Sequence, residues 1–412
     1  MESKSLPSVA VFGSGRTVRV VVPHLRSRGF RIEALWARSH ELAREAAAEL
    51  DIPFWTTRED DALLRKNVSL VAILCEPHLH SGIAVKALRI GKHVLCDRPA
   101  GLDSADVLKM VQAAQYYPSL ISIVGHTLRF LPCFVHMKRQ LMEGYVGEVQ
   151  SVDVRVMCGS LFQDRYSWLQ DARAGGGALA NFGSHLVDIV SFLTGLRAIR
   201  VMGTLRTLEV SKDQFHQAQA DDLCAFQMDM HNGALVTVNI NTRFAGQYSE
   251  ELTICGSGGI LVVRSGDLFG QKVGSMKEDV LYLDVEDLKQ SPSILPRNIT
   301  DLTKEKLQEK IHPPHLPKAH VKGWIKLIGS LKEAFVAKPN QCQWTKERVQ
   351  SAATFEEAFY VQSVIDAVRQ SSADKQWVRV TAGVNEMHVY ERHDASNKLY
   401  AGLYRANQGL SL

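Results

Sequence analysis

Short apolar runs punctuate the first third of the chain, at residues 9–12, 32–36, 70–74, 93–96 and 120–125. Each has the length and unbroken hydrophobic character of a strand buried on both faces. Segments with helical periodicity lie between them, at 40–50, 81–90 and 105–116. A shorter strand is expected at 53–56, and Thr57 followed three residues later by Asp60 reads as a helix capping box. This alternation predicts a doubly wound α/β domain. After Val149 the rhythm changes: Val152, Val154 and Val156 share one face of a strand. Further strands are expected near 200–203, 225–229, 234–241 and 251–255, with few helices between them. That pattern predicts an α+β domain with a large open, mostly antiparallel sheet and helices on one side. Its other face would be buried by a second copy, so a homodimer or larger homo-oligomer is expected. Helices at 319–336 and 354–371 and a strand at 377–380 follow, while 274–315, with proline and mixed charge, reads as an irregular excursion.

The first apolar run leads directly into Gly13-Ser14-Gly15-Arg16-Thr17-Val18. Strand, glycine turn and helix form a cradle for a dinucleotide: the first glycine makes the turn, the second lets the backbone approach the pyrophosphate, and the helix N-terminus faces its charge. Val18 stands where a third glycine is usual, and Pro23 lies inside the following helix, where a kink is expected. The second strand ends in Ala37-Arg38-Ser39, without the acid that would hold a ribose 2′-hydroxyl. A guanidinium and a hydroxyl suit a 2′-phosphate, so NADP is preferred to NAD, with Arg38 as clamp. The alternative is that Arg38 is a solvated loop residue and Ser39 caps the next helix. Carboxyl-terminal strand ends place Cys75-Glu76-Pro77-His78 and Cys96-Asp97-Arg98-Pro99-Ala100 beside the cofactor. The expected binding set is Gly13, Ser14, Gly15, Arg16, Thr17, Arg38, Ser39, Cys75, Glu76, His80, Asp97 and Arg98. Residues 1–127 are thus expected as a Rossmann dinucleotide-binding domain, 128–385 as a substrate and oligomerisation domain, and 386–412 as a tail.

Within the second domain, Gly175-Gly176-Gly177 precedes an apolar helical segment that Thr194-Gly195 stops. Asn181 and His185 are four residues apart and project from one helix face. They read either as the floor of a ligand site or as polar residues in a helix packed closely through its glycines.

Composition narrows the class. A chain of 412 residues exceeds one ordinary core, which agrees with two domains. Lys and Arg number 48 against 44 Asp and Glu, without basic blocks, so nucleic acid is not an expected partner. Cysteines at 75, 96, 133, 158, 224, 255 and 342 are widely spaced with no C-x-x-C pair, which suggests free thiols in a reducing compartment and no metal site. No apolar leader or membrane-length run is present, so the cytoplasm is expected; Asn298-Ile299-Thr300 would be a glycosylation sequon in a secreted chain.

The run Ala87-Leu88-x-x-Gly91-Lys92-His93-Val94-Leu95-Cys96-Asp97-Arg98-Pro99 resembles the "A-L-x-x-G-K-H-V-L-C-E-K-P" segment of the Gfo/Idh/MocA oxidoreductases. The stretch 175–188 resembles their "G-G-G-x-L-x-D-x-G-x-H-x-x-D" segment. Segments such as Tyr116-Tyr117-Pro118 and Leu128-Arg129-Phe130-Leu131-Pro132 are similar to the animal glucose-fructose oxidoreductase domain-containing group. The resemblance implies a nicotinamide cofactor between two domains and sheet-mediated oligomers. In such dehydrogenases a lysine, an aspartate and a histidine surround the carbinol; the matching positions here are Arg98, Asn181 and His185. Arginine, with a pKa above about 12, is a poor proton shuttle, and asparagine cannot accept the proton. The favoured expectation is NADP(H)-dependent oxidation of a sugar-like or cyclic polyol hydroxyl, with His185 as acid-base group, Asn181 orienting and Arg98 polarising. The alternatives are a cofactor-binding pseudoenzyme or redox sensor, and NAD(P)-assisted elimination or glycoside cleavage.

Overall fold

The computed structural model describes residues 6–159, 167–208, 220–244, 248–284, 317–336 and 349–381. The first apolar runs form parallel strands β1 (Ser8–Phe12), β2 (Arg31–Trp36), β3 (Trp55–Thr56), β4 (Val68–Ile73), β5 (His93–Cys96) and β6 (Ser122–Val124). They alternate with helices α1 (Arg16–Ser27), α2 (His40–Glu49), α3 (Glu59–Leu63), α4 (Pro77–Arg89) and α5 (Ser104–Tyr116). Residues Val9 to Phe12 are wholly buried because helices cover both faces. The sheet order reverses at β1, which has β2 on one side and β4 on the other. A crevice at the carboxyl end of such a reversal is where doubly wound folds bind ligands.

Among the described residues the second sheet has nine strands, of which only the central pair runs parallel. These are β7 (Val149–Met157) and β10 (Leu235–Asn241). Flanking them are β8 (Ala198–Arg206), β9 (Leu223–Met230), β11 (Ser249–Gly256), β12 (Gly259–Arg264), β13 (Asp267–Lys272) and β14 (Asp279–Tyr282). Val152, Val154 and Val156 pair with Val236, Val238 and Ile240, and this inner face packs on α6 (Pro132–Met142) and α7 (Ser184–Thr194). Strict alternation in both strands sets this register, because a one-residue slip would expose every inner valine.

Several expectations change. Strands β12 and β13 are additional to the expected ones: the chain turns back from β11 at Ser257-Gly258, and a Cβ on Gly259, the first residue of β12 at φ +158°, would lie 2.5 Å from the Gln271 carbonyl. Part of the expected excursion is the edge strand β14, while 285–316, the sequon and the tail beyond 381 lie outside the described residues. Helix α4 begins at Pro77 rather than 81, since proline is preorganised for a first helical turn. Thr57 does not cap α3: the neighbouring Thr56 Oγ1 accepts from the Arg58 N–H at 3.0 Å and donates to Asp61 Oδ2 at 3.0 Å. Helix α1 continues through Pro23.

The boundary at 127 also does not divide the packing. Helix α8 (Lys318–Phe335), numbered with the second domain, buries Val321, Trp324, Leu327, Ile328 and Leu331 against the first sheet and α1. Gly125 and Gly323 accommodate it: a Cβ on Gly125 would lie 2.6 Å from Trp324, and one on Gly323 would lie 2.5 Å from the Thr127 carbonyl. The two-residue strand β15 (Ala353–Thr354) then pairs with β6, after which α9 (Phe355–Asp374) crosses to the large sheet and β16 (Val378–Arg379) closes its edge. The chain thus returns to its first domain before finishing in its second, and α8 delivers side chains to the crevice.

Candidate active site

At the end of β1, Gly13 adopts φ +131°, and a Cβ there would lie 2.6 Å from the Leu74 carbonyl. Only glycine lets β1 and the end of β4 come this close. Gly15 precedes α1, and a Cβ on it would meet nothing within 4 Å, so the space in front of the turn is open. The first-turn N–H groups of a helix, here including those of Arg16 and Thr17, have no partners within the helix and are free to meet an anion at its N-terminus. Val18 is wholly buried in the helix–sheet contact, which explains the missing third glycine. The observed residues therefore fit a dinucleotide pyrophosphate.

At the end of β2, Arg38 is more than half exposed and ion-paired with Glu76 at 2.7 Å. Ser39 occupies the N-cap position of α2 without a side-chain capping bond. His80, expected beside the cofactor, is wholly buried, with Nδ1 3.0 Å from the Pro99 carbonyl and Nε2 3.0 Å from the Cys75 carbonyl. It ties together the two loops that border the crevice. Cys75 is also buried, and burial raises its thiol pKa far above the ordinary range, so it is an inert wall. Asp97 Oδ1 accepts from the Arg98 N–H at 2.8 Å and braces the β5 loop.

Across the crevice, the glycine loop is shaped by protein neighbours. Cβ atoms would lie 2.6 Å from Pro77 at Gly175, 2.5 Å from the Trp168 and Leu169 carbonyls at Gly176, and 2.3 Å from Asp221 Oδ1 at Gly177. Asp221 Oδ2 accepts from the Leu179 N–H at 2.7 Å and so holds the start of the next turn. That turn, Leu179–Gly183, is a π-helix that passes into α7, a distortion common where helices carry functional groups. Asn181 and His185 still face the same way despite the wider turn.

Both face Arg98. Its Nε donates to His185 Nε2 at 2.8 Å and its Nη1 donates to Asn181 Oδ1 at 3.1 Å. Asn181 Nδ2 donates to the Gly177 carbonyl at 2.9 Å, which fixes the amide orientation. His185 Nε2 must be the acceptor, so the ring proton sits on Nδ1, which has no partner among the described residues. Burial first, then the charges of Arg98, His320 and His126, holds the His185 pKa well below 6.5. The histidine is neutral at ordinary pH and its basic nitrogen is occupied.

Helix α7 is held in register by Asp188, which accepts from Arg129 Nη2 at 2.6 Å and Nε at 2.8 Å. Arg129 also pairs with Glu357 at 3.0 Å. His126, His320, Tyr248 and Glu250 were not expected at the site. The His126 ring lies 5.6 Å and the His320 ring 4.6 Å from that of His185, centroid to centroid. His320 comes from α8, more than a hundred residues away in sequence, and nothing local marks it. The acid at 250 did leave a trace, since Glu250, Leu252 and Ile254 alternate with exposed or half-exposed neighbours and share the inner face.

Known proteins share this fold. A family model described as the oxidoreductase family with an NAD-binding Rossmann fold matches residues 8–126, and one for the GFO/IDH/MocA C-terminal domain matches 134–262. Glucose-fructose oxidoreductase domain-containing protein 2 of Homo sapiens is 38% identical over 407 residues, spanning 98% of this chain and 100% of the relative. The chain belongs to the Gfo/Idh/MocA oxidoreductase family. Domain-containing protein 1 of Xenopus tropicalis is 39% identical over 384 residues, covering 92% of this chain and 94% of its own. Among solved structures of this fold, a levoglucosan dehydrogenase complexed with NADH and levoglucosan superposes with a TM-score of 0.72 at 18% identity, covering 91% of this chain and 99% of its own. The WlbA dehydrogenase from Bordetella pertussis, complexed with NADH and UDP-GlcNAcA, has a TM-score of 0.69 at 16% identity, covering 92% and 99%. No helix among the described residues is long and apolar enough to cross a membrane.

Proposed function

We propose that the chain is an NADP(H)-dependent oxidoreductase acting on a sugar-like or cyclic polyol hydroxyl. The observation that carries this reading is the convergence of Arg98 from the dinucleotide domain with Asn181 and His185 from the sheet domain in one hydrogen-bonded cluster. The glycine turn and the α1 N-terminus would hold the diphosphate, and Arg38 would hold a 2′-phosphate by exchanging its Glu76 partner for it. A bound nicotinamide would supply the hydride acceptor. Arg98 then stabilises negative charge developing on the carbinol oxygen, while Asn181 orients that oxygen. His185 would exchange a proton only when substrate displaces the Arg98 guanidinium from Nε2. The levoglucosan dehydrogenase and WlbA complexes, which have the same fold and hold NADH with levoglucosan and UDP-GlcNAcA, support the ligand classes.

The donation from Arg98 to His185 Nε2 also favours a second reading, a cofactor-binding pseudoenzyme or redox sensor, because it occupies the nitrogen that catalysis would use. Native mass spectrometry and thermal shift with NADP(H) and NAD(H) test what both readings share. Binding with preference for the phosphorylated form is expected; no bound dinucleotide and no shift with any of them would overturn both. The outer sheet face exposes Ile199, Leu235 and Ile260, which supports a homo-oligomer formed through it. Light scattering would show at least a dimer, and a monomer at micromolar concentration would contradict it.

A further inference from the structure

Glu250 lies where the fold calls for an apolar side chain. Its inner-face row across the sheet is Cys224, Ile240, Val156 and Glu250, and its relative exposure is 7%. A buried carboxyl costs stability unless it is paired or used. One oxygen, Oε2, accepts from the Tyr248 hydroxyl at 2.7 Å, while Oε1 is buried with no partner among the described residues. The Tyr248 ring lies 6.1 Å from His320 and 6.4 Å from Phe182, centroid to centroid, and His320 lies 4.6 Å from His185. The pair therefore runs from the wall of the crevice into the sheet.

We propose that Tyr248 and Glu250 form the proton-accepting relay of this cleft, taking the place of the carboxylate absent at position 181. The inference rests on the oxidoreductase reading. In the oxidative direction the carbinol O–H bond breaks and its proton passes to Tyr248 Oη as the Tyr248 proton passes to Glu250 Oε2. The C–H bond gives its electron pair, as hydride, to the oxidised nicotinamide. The products are a carbonyl compound, reduced dinucleotide and a protonated Glu250, so atoms and charge balance. Arg98 keeps its proton and holds the oxygen, and His185 is not required to titrate.

The electrostatics agree. Burial raises the Glu250 pKa and the Tyr248 hydrogen bond lowers it, leaving it at about 7, where it exchanges protons at neutral pH. The other titratable or charged groups around the pair are Cys133 on α6, Cys158 beyond β7, Arg98, His320, and the Lys322–Asp284 ion pair linking α8 to the chain after β14. Burial keeps the two thiols protonated, and burial with the Arg98 charge lowers the His320 pKa to about 3, so that ring is neutral near pH 7. Unlike the thiols and His320, Glu250 changes charge near pH 7.

The test counts protons and needs no substrate. The full-length protein is titrated with NADP+ by calorimetry in buffers of different ionisation enthalpy between pH 6 and 8. An arriving cationic ring favours ionised Glu250, so up to about half a proton is expected to leave at pH 7, because a group with a pKa of about 7 is half protonated there. NADPH, with a neutral ring, should release less. Glu250→Gln should abolish the release. Tyr248→Phe removes the bond that lowers the pKa and should move the release to higher pH, an opposite signature that loss of structure would not produce. Equal proton counts in wild type and Glu250→Gln would overturn the relay. Should NADP+ not bind, the cofactor reading fails instead, and a carboxyl-carbon NMR titration of the unliganded protein decides the relay: Glu250 titrating near 7 upholds it, and Glu250 fully ionised at pH 5 overturns it.

Discussion

Replacing Asp188 by Asn tests how the fold positions its cleft. Asp188 is wholly buried on α7, one turn beyond His185, and its two oxygens take both prongs of Arg129 at 2.6 and 2.8 Å. Arg129 is 2% exposed, so the substitution leaves a buried guanidinium with Glu357 as its remaining acidic partner. Breaking a buried pair from one side costs about 3–5 kcal/mol. At about 2–4 °C per kcal/mol for a domain of this size class, melting should fall by about 6–20 °C. A pH signature accompanies it. Burial raises the Asp188 carboxyl, but the Arg129 charge, with smaller help from His126, outweighs it and depresses the folded pKa. Such a group contributes stability above its unfolded pKa of about 3.9, and that stability is lost as pH falls through the lower folded value. Denaturant titration from pH 7 to pH 3 should show the onset of this loss in wild type, below about pH 4, and a smaller one in Asp188→Asn. A cost below about 1 kcal/mol at pH 7 would refute the clamp, because that is the range of an exposed pair.

Other substitutions report on single links. Arg38→Ala should weaken NADP+ binding about tenfold while changing NAD+ binding little, as expected for the loss of one charge-assisted contact in a partly exposed site; equal losses by calorimetry would remove Arg38 from the 2′-position. Gly13→Ala must place a side chain at φ +131° against the Leu74 carbonyl, at a cost of about 1–3 kcal/mol, and should abolish dinucleotide binding; retained affinity would contradict the cradle. Imidazole NMR of Arg98→Met should show the His185 pKa rising toward its ordinary value, since the lost cation helped hold it down. An unchanged titration would mean that burial alone sets it.

Patterns with a short period were legible. The valines of β7 set the sheet register, and the glycine turn after β1 marked the crevice, because both depend on neighbours along the chain. Asn181 and His185 were placed on one face although the π-turn between them could not be foreseen, since it depends on Asp221 holding the Leu179 amide. The role of Arg98 changed most: its guanidinium engages both partners, an outcome set by two domains meeting. The partners of His80 were not legible, because the same residue type serves a cofactor or a pair of buried carbonyls, and the Pro99 and Cys75 carbonyls it meets come from two separate loops. His320 depended on α8 returning to the first domain. Glu250 was legible in part, as an acid in a row of inward-facing apolar positions.

On the proposed function, Arg98, Asn181 and their neighbours form a working redox site and not a retired one. The most direct measurement loads wild type and the Arg98→Lys, Asn181→Asp double variant with NADP+ and follows nicotinamide reduction across a panel of aldoses and inositols. Wild type should reduce its nucleotide with at least one member of the panel. Reduction in the double variant alone, with wild type inert throughout, would contradict it.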